Sequence, residues 1–304
     1  MKHSKNMYNT PILFIIFANP DTTAKVFKRI RQIQPKKLYV AADAPRPNKP
    51  GEAQRSAETR AIISRVDWNC EVKTLFHDRN LGLKIAVTTA ISWFFEQEEM
   101  GVILEDDCLP DLSFFPFCEE LLIRYKDDER IGHISGNNYL QGVIDERFSY
   151  DFSSVVHIWG WASWRRVWKN YDVNFTFWET HKDKRKMLFY NKMEEIYFSS
   201  FIHDTLNNKN GINAWSPQYY FGLRLQNQLS VYPGVNMVTN IGIGDVNATH
   251  TSKKNKKLCR PALPISFPLK HPKFISRNEV LDNKTVFFSW KRLARYLLRG
   301  IVAK

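Results

Sequence analysis

The residues best equipped for chemistry are three consecutive carboxylates, Glu105, Asp106 and Asp107, directly after the apolar run Val102 to Leu104. Adjacent carboxylates repel, and at the exit of a buried strand their ionised forms cost stability unless a cation or hydrogen-bond donors compensate. A divalent metal is the natural compensation. Mg²⁺ or Mn²⁺ takes one or two carboxylates plus phosphate oxygens of a substrate, so the triplet is suited to holding a nucleotide diphosphate. A solvated acidic turn is the simpler reading of the same residues. No GxxxxGK[ST] run occurs, and no GxGxxG follows the first apolar segment, so phosphates would meet metal and scattered donors rather than a glycine-rich cradle. ATPase and dinucleotide-binding readings weaken accordingly.

The elements that must position this triplet are legible in the first third of the chain. Pro11 to Ala18 predicts a buried strand, and Asp21 a helix cap before Val26, Phe27, Ile30 and Ile33 at helical spacing. Leu38 to Ala42 predicts a second strand ending at Asp43; a Pro- and Lys-rich loop and a helix through Ile62 and Val66 then lead to a third strand, Val72 to Phe76. Leu83 to Phe95 reads as the next helix and Val102 to Leu104 as the fourth strand. Strands alternating with helices imply right-handed βαβ units and a Rossmann-like, mainly parallel sheet covered on both faces. In such sheets the ligand lies beyond the carboxyl ends of the strands, which directs attention to Asn19, Asp43, His77 to Gly82 and Glu105 to Asp107.

The second half is less regular. Trp159, Trp161, Trp164 and Trp168 crowd one stretch around Gly160, helical character runs near Lys184 to Asn208, and Leu229 to Tyr232 is strand-like. Clustered aromatics build cores more often than sites; Trp159 or Trp161 stacked on a sugar face is the second reading. From Trp290 onward, Leu293, Ala294, Leu297, Leu298 and Ile301 form an apolar stripe beside Lys291, Arg292, Arg295 and Arg299, the pattern of a basic amphipathic helix.

Composition bounds the function class. The chain has 304 residues, 43% hydrophobic and 25% charged, which fits a folded globular protein of one large or two packed domains at roughly 150 residues per domain. Lys plus Arg exceed Asp plus Glu by 44 to 31, a net +13, which favours an anionic partner: nucleic acid, an anionic membrane or a phosphorylated substrate. The surplus gathers at Lys253, Lys254, Lys256 and Lys257, and in Lys284 to Lys304, which has six basic residues and no acid. Cys70, Cys108, Cys118 and Cys259 are widely spaced without a CxxC pair, arguing against a zinc site or disulfide scaffold. The longest apolar run, Ile12 to Ala18, falls far short of the ~20 residues that cross a bilayer. A cytoplasmic protein without spanning helix or signal peptide is the expectation.

The strand leading into Glu105-Asp106-Asp107, followed by Leu109-Pro110 and Phe114-Phe115, resembles the metal-binding segment of GT-A fold glycosyltransferases, notably the N-acetylglucosaminyltransferase I type, in which a short acidic motif plays the "DxD" part. Asp78-Arg79-Asn80-Leu81-Gly82, Trp159-Gly160-Trp161-Ala162-Ser163-Trp164, and Asn236 through Thr251 with Asn240-Ile241-Gly242 and Ala248-Thr249-His250-Thr251 agree with a bacterial group of nucleotide-diphospho-sugar transferases, some described as hemolysin-like. The resemblance spans residues 10 to 252. It implies an α/β GT-A catalytic domain over 1–252, with a nucleotide-sugar-binding half (10–110) and an acceptor-side half (111–252), and a basic tail with amphipathic helix over 253–304.

The resemblance further implies roles. Asp107 would ligate Mn²⁺ or Mg²⁺, with His250 closing the metal shell or touching the diphosphate; Glu105 and Asp106 would contact ribose, metal-bound water or sugar. Asn19 and Asp43 would lie near the base, His77 to Gly82 would flank uracil or ribose, with Arg79 a phosphate donor and Asn80 beside it, and Gly82 reads as a turn glycine. Inverting transfer needs a carboxylate to take the acceptor proton: Glu179 comes first, from its distance to Trp159-Gly160-Trp161, with Asp172 and Asp204 as rivals. One departure stands out. An acid is expected near Trp215, where this chain has Asn213, Ser216 and Pro217, which bears on acceptor choice or activity.

The function implied is a metal-dependent glycosyltransferase moving a hexosyl or N-acetylhexosaminyl group, from a UDP-sugar first of all, to a glycan or lipid-linked acceptor in bacterial surface polysaccharide synthesis. Attraction to anionic lipid is worth about 1 kcal/mol per basic residue near the surface, so the basic C-terminal helix would hold the protein peripherally at the inner face of the membrane. A nucleotidyltransferase making a nucleotide-sugar shares the sheet and metal logic but usually opens with a glycine-rich loop, where this chain has Asn19-Pro20-Asp21. A nucleic-acid-binding protein would use the charge, yet no nucleic-acid motif is present, so no nucleic-acid partner is expected.

Overall fold

The computed structural model describes residues 7–140, 142–181, 183, 187–206, 214–243 and 259–288. In chain order these begin with β1 (Ile12–Ile16), α1 (Pro20–Ile33), β2 (Lys37–Ala42), α2 (Glu52–Ala61), β3 (Glu71–Phe76), α3 (Leu83–Gln97) and β4 (Met100–Glu105). The central strands β1, β2 and β4 are almost wholly apolar and buried, as strands covered on both faces must be. β3 instead alternates Glu71 and Lys73 with apolar residues and is largely exposed, which marks it as an edge. Two boundaries differ from expectation. α1 starts at Pro20 with Asn19 in the cap position, not at an Asp21 cap, because proline's fixed φ suits the first helical residue. α2 ends at Ala61, and a 3₁₀ turn over Ile62–Arg65 completes the segment read as one helix.

The remaining elements are β5 (Cys108–Pro110), α4 (Phe114–Arg124), β6 (Ile131–Ser135), β7 (Tyr150–Ser153), β8 (Trp161–Trp164), α5 (Arg165–Trp168), α6 (Thr176–Thr180), α7 (Lys192–Leu206), α8 (Ser216–Leu225), β9 (Leu229–Pro233), β10 (Val238–Asn240) and α9 (Glu279–Phe288). Eight strands form one sheet in the order β3-β2-β1-β4-β8-β6-β9-β7, and β10 pairs with β5 in a two-stranded ribbon. β3, β2, β1 and β4 are parallel; β8 runs antiparallel between β4 and β6, and β7 antiparallel to β9. This is the mixed, mainly parallel α/β sheet flanked by helices that the sequence predicts. The tryptophan stretch contributes a full strand, β8, whose residues are all buried.

The order 3-2-1-4 contains a reversal. The chain moves outward from β1 to β3, then crosses back through α3 to place β4 on the other side of β1. Right-handed crossovers therefore put α1 and α2 on one face and α3 on the other. A crevice opens at the carboxyl ends of β1 and β4, where the two connections diverge. The acidic triplet begins with Glu105, the last residue of β4, and so stands in that crevice.

The far end of the sheet is tied by a buried polar network. Arg224 of α8 pairs with Glu194 of α7 and bonds Tyr220 Oη (2.9 Å) and Ser154 Oγ (2.8 Å). Asp282 of α9 accepts from Ser153 Oγ (2.6 Å), the Ser154 N–H (3.1 Å) and Arg277 (3.2 Å). Further bonds run from the Asn278 N–H to Phe152 O (2.8 Å), the Ser149 N–H to Lys270 O (2.8 Å) and the Leu263 N–H to Asn236 O (2.7 Å). Residues 259–288, read from sequence as part of a basic tail, thus pack onto the sheet, with Leu269 and Leu281 buried. Their composition concealed this because the attachment is made of backbone hydrogen bonds and single side chains rather than an apolar stripe. The amphipathic helix expected from Trp290 and the Lys253 to Lys257 cluster lie outside the described residues. Among the described residues, no helix is long and apolar enough to cross a membrane.

Removing one partner of a buried ion pair leaves an uncompensated charge, so Arg224→Met is expected to lower the unfolding free energy by about 3–5 kcal/mol. Adding Glu194→Met should recover most of the loss in urea denaturation; equal losses in the single and double variants would rule out charge isolation as the cause.

Candidate active site

A cavity of about 470 Å³ opens at this crevice, within the size range of small-molecule sites. Its walls include Ile16, Phe17 and Asn19 after β1, Ala42 and Asp43 after β2, His77 and Asn80 after β3, and Glu105, Asp106 and Asp107 at the end of β4. The opposite wall comes from Ile158, Trp159, Ala214, Trp215 and Ser216, with Asn240 and Gly242 beside the acids. Three helices direct their amino ends here: α1 through Asn19 and Thr22, α3 through Gly82 and Leu83, and α8 through Trp215 and Ser216. Helix amino ends carry partial positive charge and unsatisfied N–H groups, so the cavity favours an anion.

The three carboxylates have different tasks. Asp106 Oδ2 accepts the Phe17 N–H (3.0 Å), and the Asn19 and Thr23 side chains stand beside the carboxylate. It ties the end of β4 to the end of β1. Asp107 is held by Cys108 Sγ (3.4 Å) and by the Asn240 side chain, while its carbonyl accepts the Ile241 N–H (2.8 Å). A Cβ on Gly242 would lie 2.6 Å from Asp107 Oδ2, so only glycine lets the chain leaving β10 pass this carboxylate. Glu105 lines the cavity half-exposed. Burial, then Asp107 and Asp106, push its carboxyl up to about 8. Burial and Asp107 push Asp106 up to about 7 against the donors around it, and burial raises Asp107.

The chemistry of this donor set fits a hard divalent cation. Glu105 and Asp107 present carboxylate oxygens to the cavity, and among the described residues no Lys or Arg pairs with the triplet. No closed shell of three His, Cys, Asp or Glu side chains converges among the described residues. The pattern matches a cation that takes one or two carboxylates and completes its shell with substrate oxygens and water.

The other expected site residues fall as follows. The Asp43 carboxylate accepts the N–H groups of Ala44 (2.9 Å), Leu81 (2.9 Å) and Gly82 (3.0 Å) and the Asn80 side-chain amide (3.1 Å). Asp43 therefore shapes the loop before α3, and its oxygens are committed to that loop. Gly82 has φ +78°, the left-handed region that favours glycine. His77 faces the cavity, and its Nε2 is buried with no hydrogen-bond partner among the described residues. Arg79 is exposed and outside the cavity walls. Asp172 spends its carboxylate on the Asn174 (2.9 Å) and Thr176 (2.5 Å) N–H groups, and neither it nor Asp204 lines the cavity. Glu179 belongs to α6, but its side chain, like all of His250 and Asn213, lies outside the described residues. The described part of the Trp215 stretch that faces the cavity, Ala214 to Ser216, carries no acid.

Sequence reasoning missed the amide scaffold behind the site. Asn137 and Asn138 are fully buried and Asn236 nearly so. Asn137 Nδ2 donates to Val238 O (3.1 Å) and its Oδ1 accepts the Trp159 N–H (3.0 Å); Asn236 Oδ1 accepts the Asn138 N–H (3.0 Å). The available signal was the run Gly136-Asn137-Asn138 directly after an apolar strand, since buried amides are retained only where every polar atom finds a partner.

No protein-family model matches the chain, and no curated protein sequence matches it. Among solved structures it is similar to HddC from Yersinia pseudotuberculosis (7% identity, covering 55% of this chain and 83% of that one, TM-score 0.34). It is also similar to the mannosyltransferase PcManGT from Pyrobaculum calidifontis in complex with GDP-Man and Mn²⁺ (14% identity, 71% and 70%, TM-score 0.37). S. aureus TarS 1-349 is a third (12% identity, 53% and 48%, TM-score 0.36). Superpositions this partial leave the functional reading to the geometry of the site.

The raised carboxyl pKa values set a sign for pH dependence. In metal-free protein the folded state holds protons on Glu105 and Asp106 that the unfolded chain releases near pH 4, so stability falls as pH rises from about 4 to about 8. Urea midpoints in EDTA should decline over this window, and Asp106→Asn should flatten the decline. Equal slopes in wild type and variant would remove Asp106 from the cause.

Proposed function

We propose that this protein is a metal-dependent glycosyltransferase that moves a sugar from a nucleotide-diphosphate donor to a glycan or lipid-linked acceptor. The observation that carries this reading is the placement of Glu105 and Asp107 in the crevice between β1 and β4, inside a cavity that three helix amino ends also face. A cation on the carboxylates and an anion at the helix ends describe the two halves of a metal-bound diphosphate. The resemblance over residues 10 to 252 selects a sugar-bearing diphosphate and, within that class, UDP-sugars first.

Asp107, with Glu105, would hold Mn²⁺ or Mg²⁺, which when bound neutralises charge on the departing nucleotide diphosphate. Asp106 fixes the distance between the strand ends by its bond to the Phe17 N–H. Asp43 orients the Asn80–Gly82 loop, and His77 offers its free ring nitrogen to the nucleoside. Burial of the walls around the site excludes water and strengthens each of these interactions. Of the three expected bases, Glu179 keeps the role of taking the acceptor proton, because Asp172 is engaged by backbone and Asp204 stands away from the cavity. α1 begins four residues after β1 ends, which leaves no room for the glycine-rich triphosphate loop of a nucleotidyltransferase. A hexosyl or N-acetylhexosaminyl donor, a role in surface polysaccharide assembly and peripheral attachment through the basic C-terminal segment complete the proposal.

A thermal-shift panel of UDP-, GDP-, CMP- and dTDP-sugars with and without Mn²⁺ tests it, because a ligand that binds only the native state raises the melting temperature. The expected result is a shift that needs both metal and one nucleotide and disappears in Asp107→Ala. No shift with any pair, or an unchanged shift in the variant, overturns the assignment.

A further inference from the structure

Trp159 and Trp161 are two residues apart, and the fold treats them oppositely. Trp161 is 1% exposed, stacked on Trp215 (5.8 Å between ring centroids) and on His133 (5.6 Å). It belongs to the core. Trp159 is half-buried and stands in the cavity wall. Between them Gly160 turns the chain at φ +67°, and a Cβ there would lie 2.8 Å from Val238 Cγ2.

The register explains where Trp159 arrives. β8 runs antiparallel to β4, with Val102 opposite Ala162 and Ile103 opposite Trp161. The ladder ends there, and beyond it Trp159 and Glu105 both line the cavity, with β8 on the side of β4 away from β1. Glu105 ends β4 and Trp159 precedes β8, so the two residues leave the adjoining ends of hydrogen-bonded neighbours. Asp43, His77 and Asn80 line the same cavity from the ends of β2 and β3.

Trp159 is also held in place. Its backbone N–H donates to Asn137 Oδ1 (3.0 Å), and its ring packs T-shaped with Tyr139, 5.7 Å between centroids at 88°. Its indole N–H has no hydrogen-bond partner among the described residues. Trp159 packs partly against the core and presents the rest of its surface in the cavity wall. An aromatic face carries negative charge density and so accepts the polarised C–H bonds of a pyranose ring, whose hydroxyl rim would then reach Glu105.

We propose that Trp159 is the platform of a pyranose-binding subsite, with Glu105 as hydroxyl acceptor and Tyr139 as brace. The proposal rests on the glycosyltransferase reading and adds to it the residue that holds a sugar ring in the cavity. That ring belongs to the donor or to the acceptor, and the two share the chemistry.

Saturation-transfer NMR on the full chain with Mn²⁺ and UDP or GDP, probing methyl pyranosides of glucose, galactose, mannose and N-acetylglucosamine, tests the subsite. Wild type should bind at least one; Trp159→Ala should weaken it about tenfold and Trp159→Phe by no more than about threefold. Nucleotide-induced thermal shifts should stay equal in all three proteins, which also checks folding. Displacement by the intact nucleotide-sugar assigns the subsite to the donor ring, and persistence assigns it to the acceptor. Unchanged pyranoside binding in Trp159→Ala, or no pyranoside bound by a wild type that binds nucleotide, overturns the proposal. A wild type that binds no nucleotide overturns the transferase reading instead, and pyranoside binding lost with the indole would then still sustain the subsite.

Discussion

The hydrogen bond from the Phe17 N–H to Asp106 is the contact around which the site is organised. β1 and β4 are parallel neighbours whose following connections diverge, so beyond their ends the backbone has no ladder partner. An ionisable side chain fills that role, and it does so inside a buried crevice where ionisation is costly. Asn19, in the cap position of α1, and Thr23 in its first turn stand beside the same carboxylate.

This arrangement leaves Glu105 and Asp107 as the groups free to meet a ligand. Burial raises the carboxyl pKa of both, and Asp107 and Asp106 add to it at Glu105, so their ionised forms are costly here and a divalent cation would relieve that cost. The helix amino ends pull in the other sense, favouring negative charge on whatever occupies the cavity. A metal-bound diphosphate, as proposed, would satisfy both demands at once. Asp43 is a useful contrast: a carboxylate at the matching end of β2, it is wholly engaged by backbone N–H groups and builds the loop wall.

The second half of the chain serves the site by different means. β8 inserts antiparallel beside β4 and delivers Trp159; β10 pairs with β5 and carries Asn240 and Gly242 to Asp107. Both loops are held from behind by buried asparagines and by residues 259–288, including the Thr239 Oγ1 bond to Arg260 O (2.8 Å). Such a polar scaffold is sensitive to the loss of any member, because each buried amide left unpaired costs about 1–3 kcal/mol.

The sequence by itself determined the first four strands, their helices, the parallel sheet and the acidic triplet at the end of β4. These are local facts: apolar runs, helical periodicity and breakers such as Asn19-Pro20 act within a few residues. Glu105, Asp106, Asp107, Asn19, His77 and Asn80 were found in that way, because strand ends in such a sheet converge by topology alone. The tertiary structure decided what adjacency in sequence conceals. Asp106 and Asp43 line the cavity but spend oxygens on backbone N–H groups; Asp172 and Arg79 fall outside it; of two tryptophans in one motif, one lies in the core and the other in the cavity wall. β6 and β8 carry no alternation because they are buried on both faces, β7 is a four-residue edge strand, and the asparagine scaffold joins residues about a hundred positions apart. Orientation and long-range pairing depend on register and on partners elsewhere in the chain, and no local pattern encodes either.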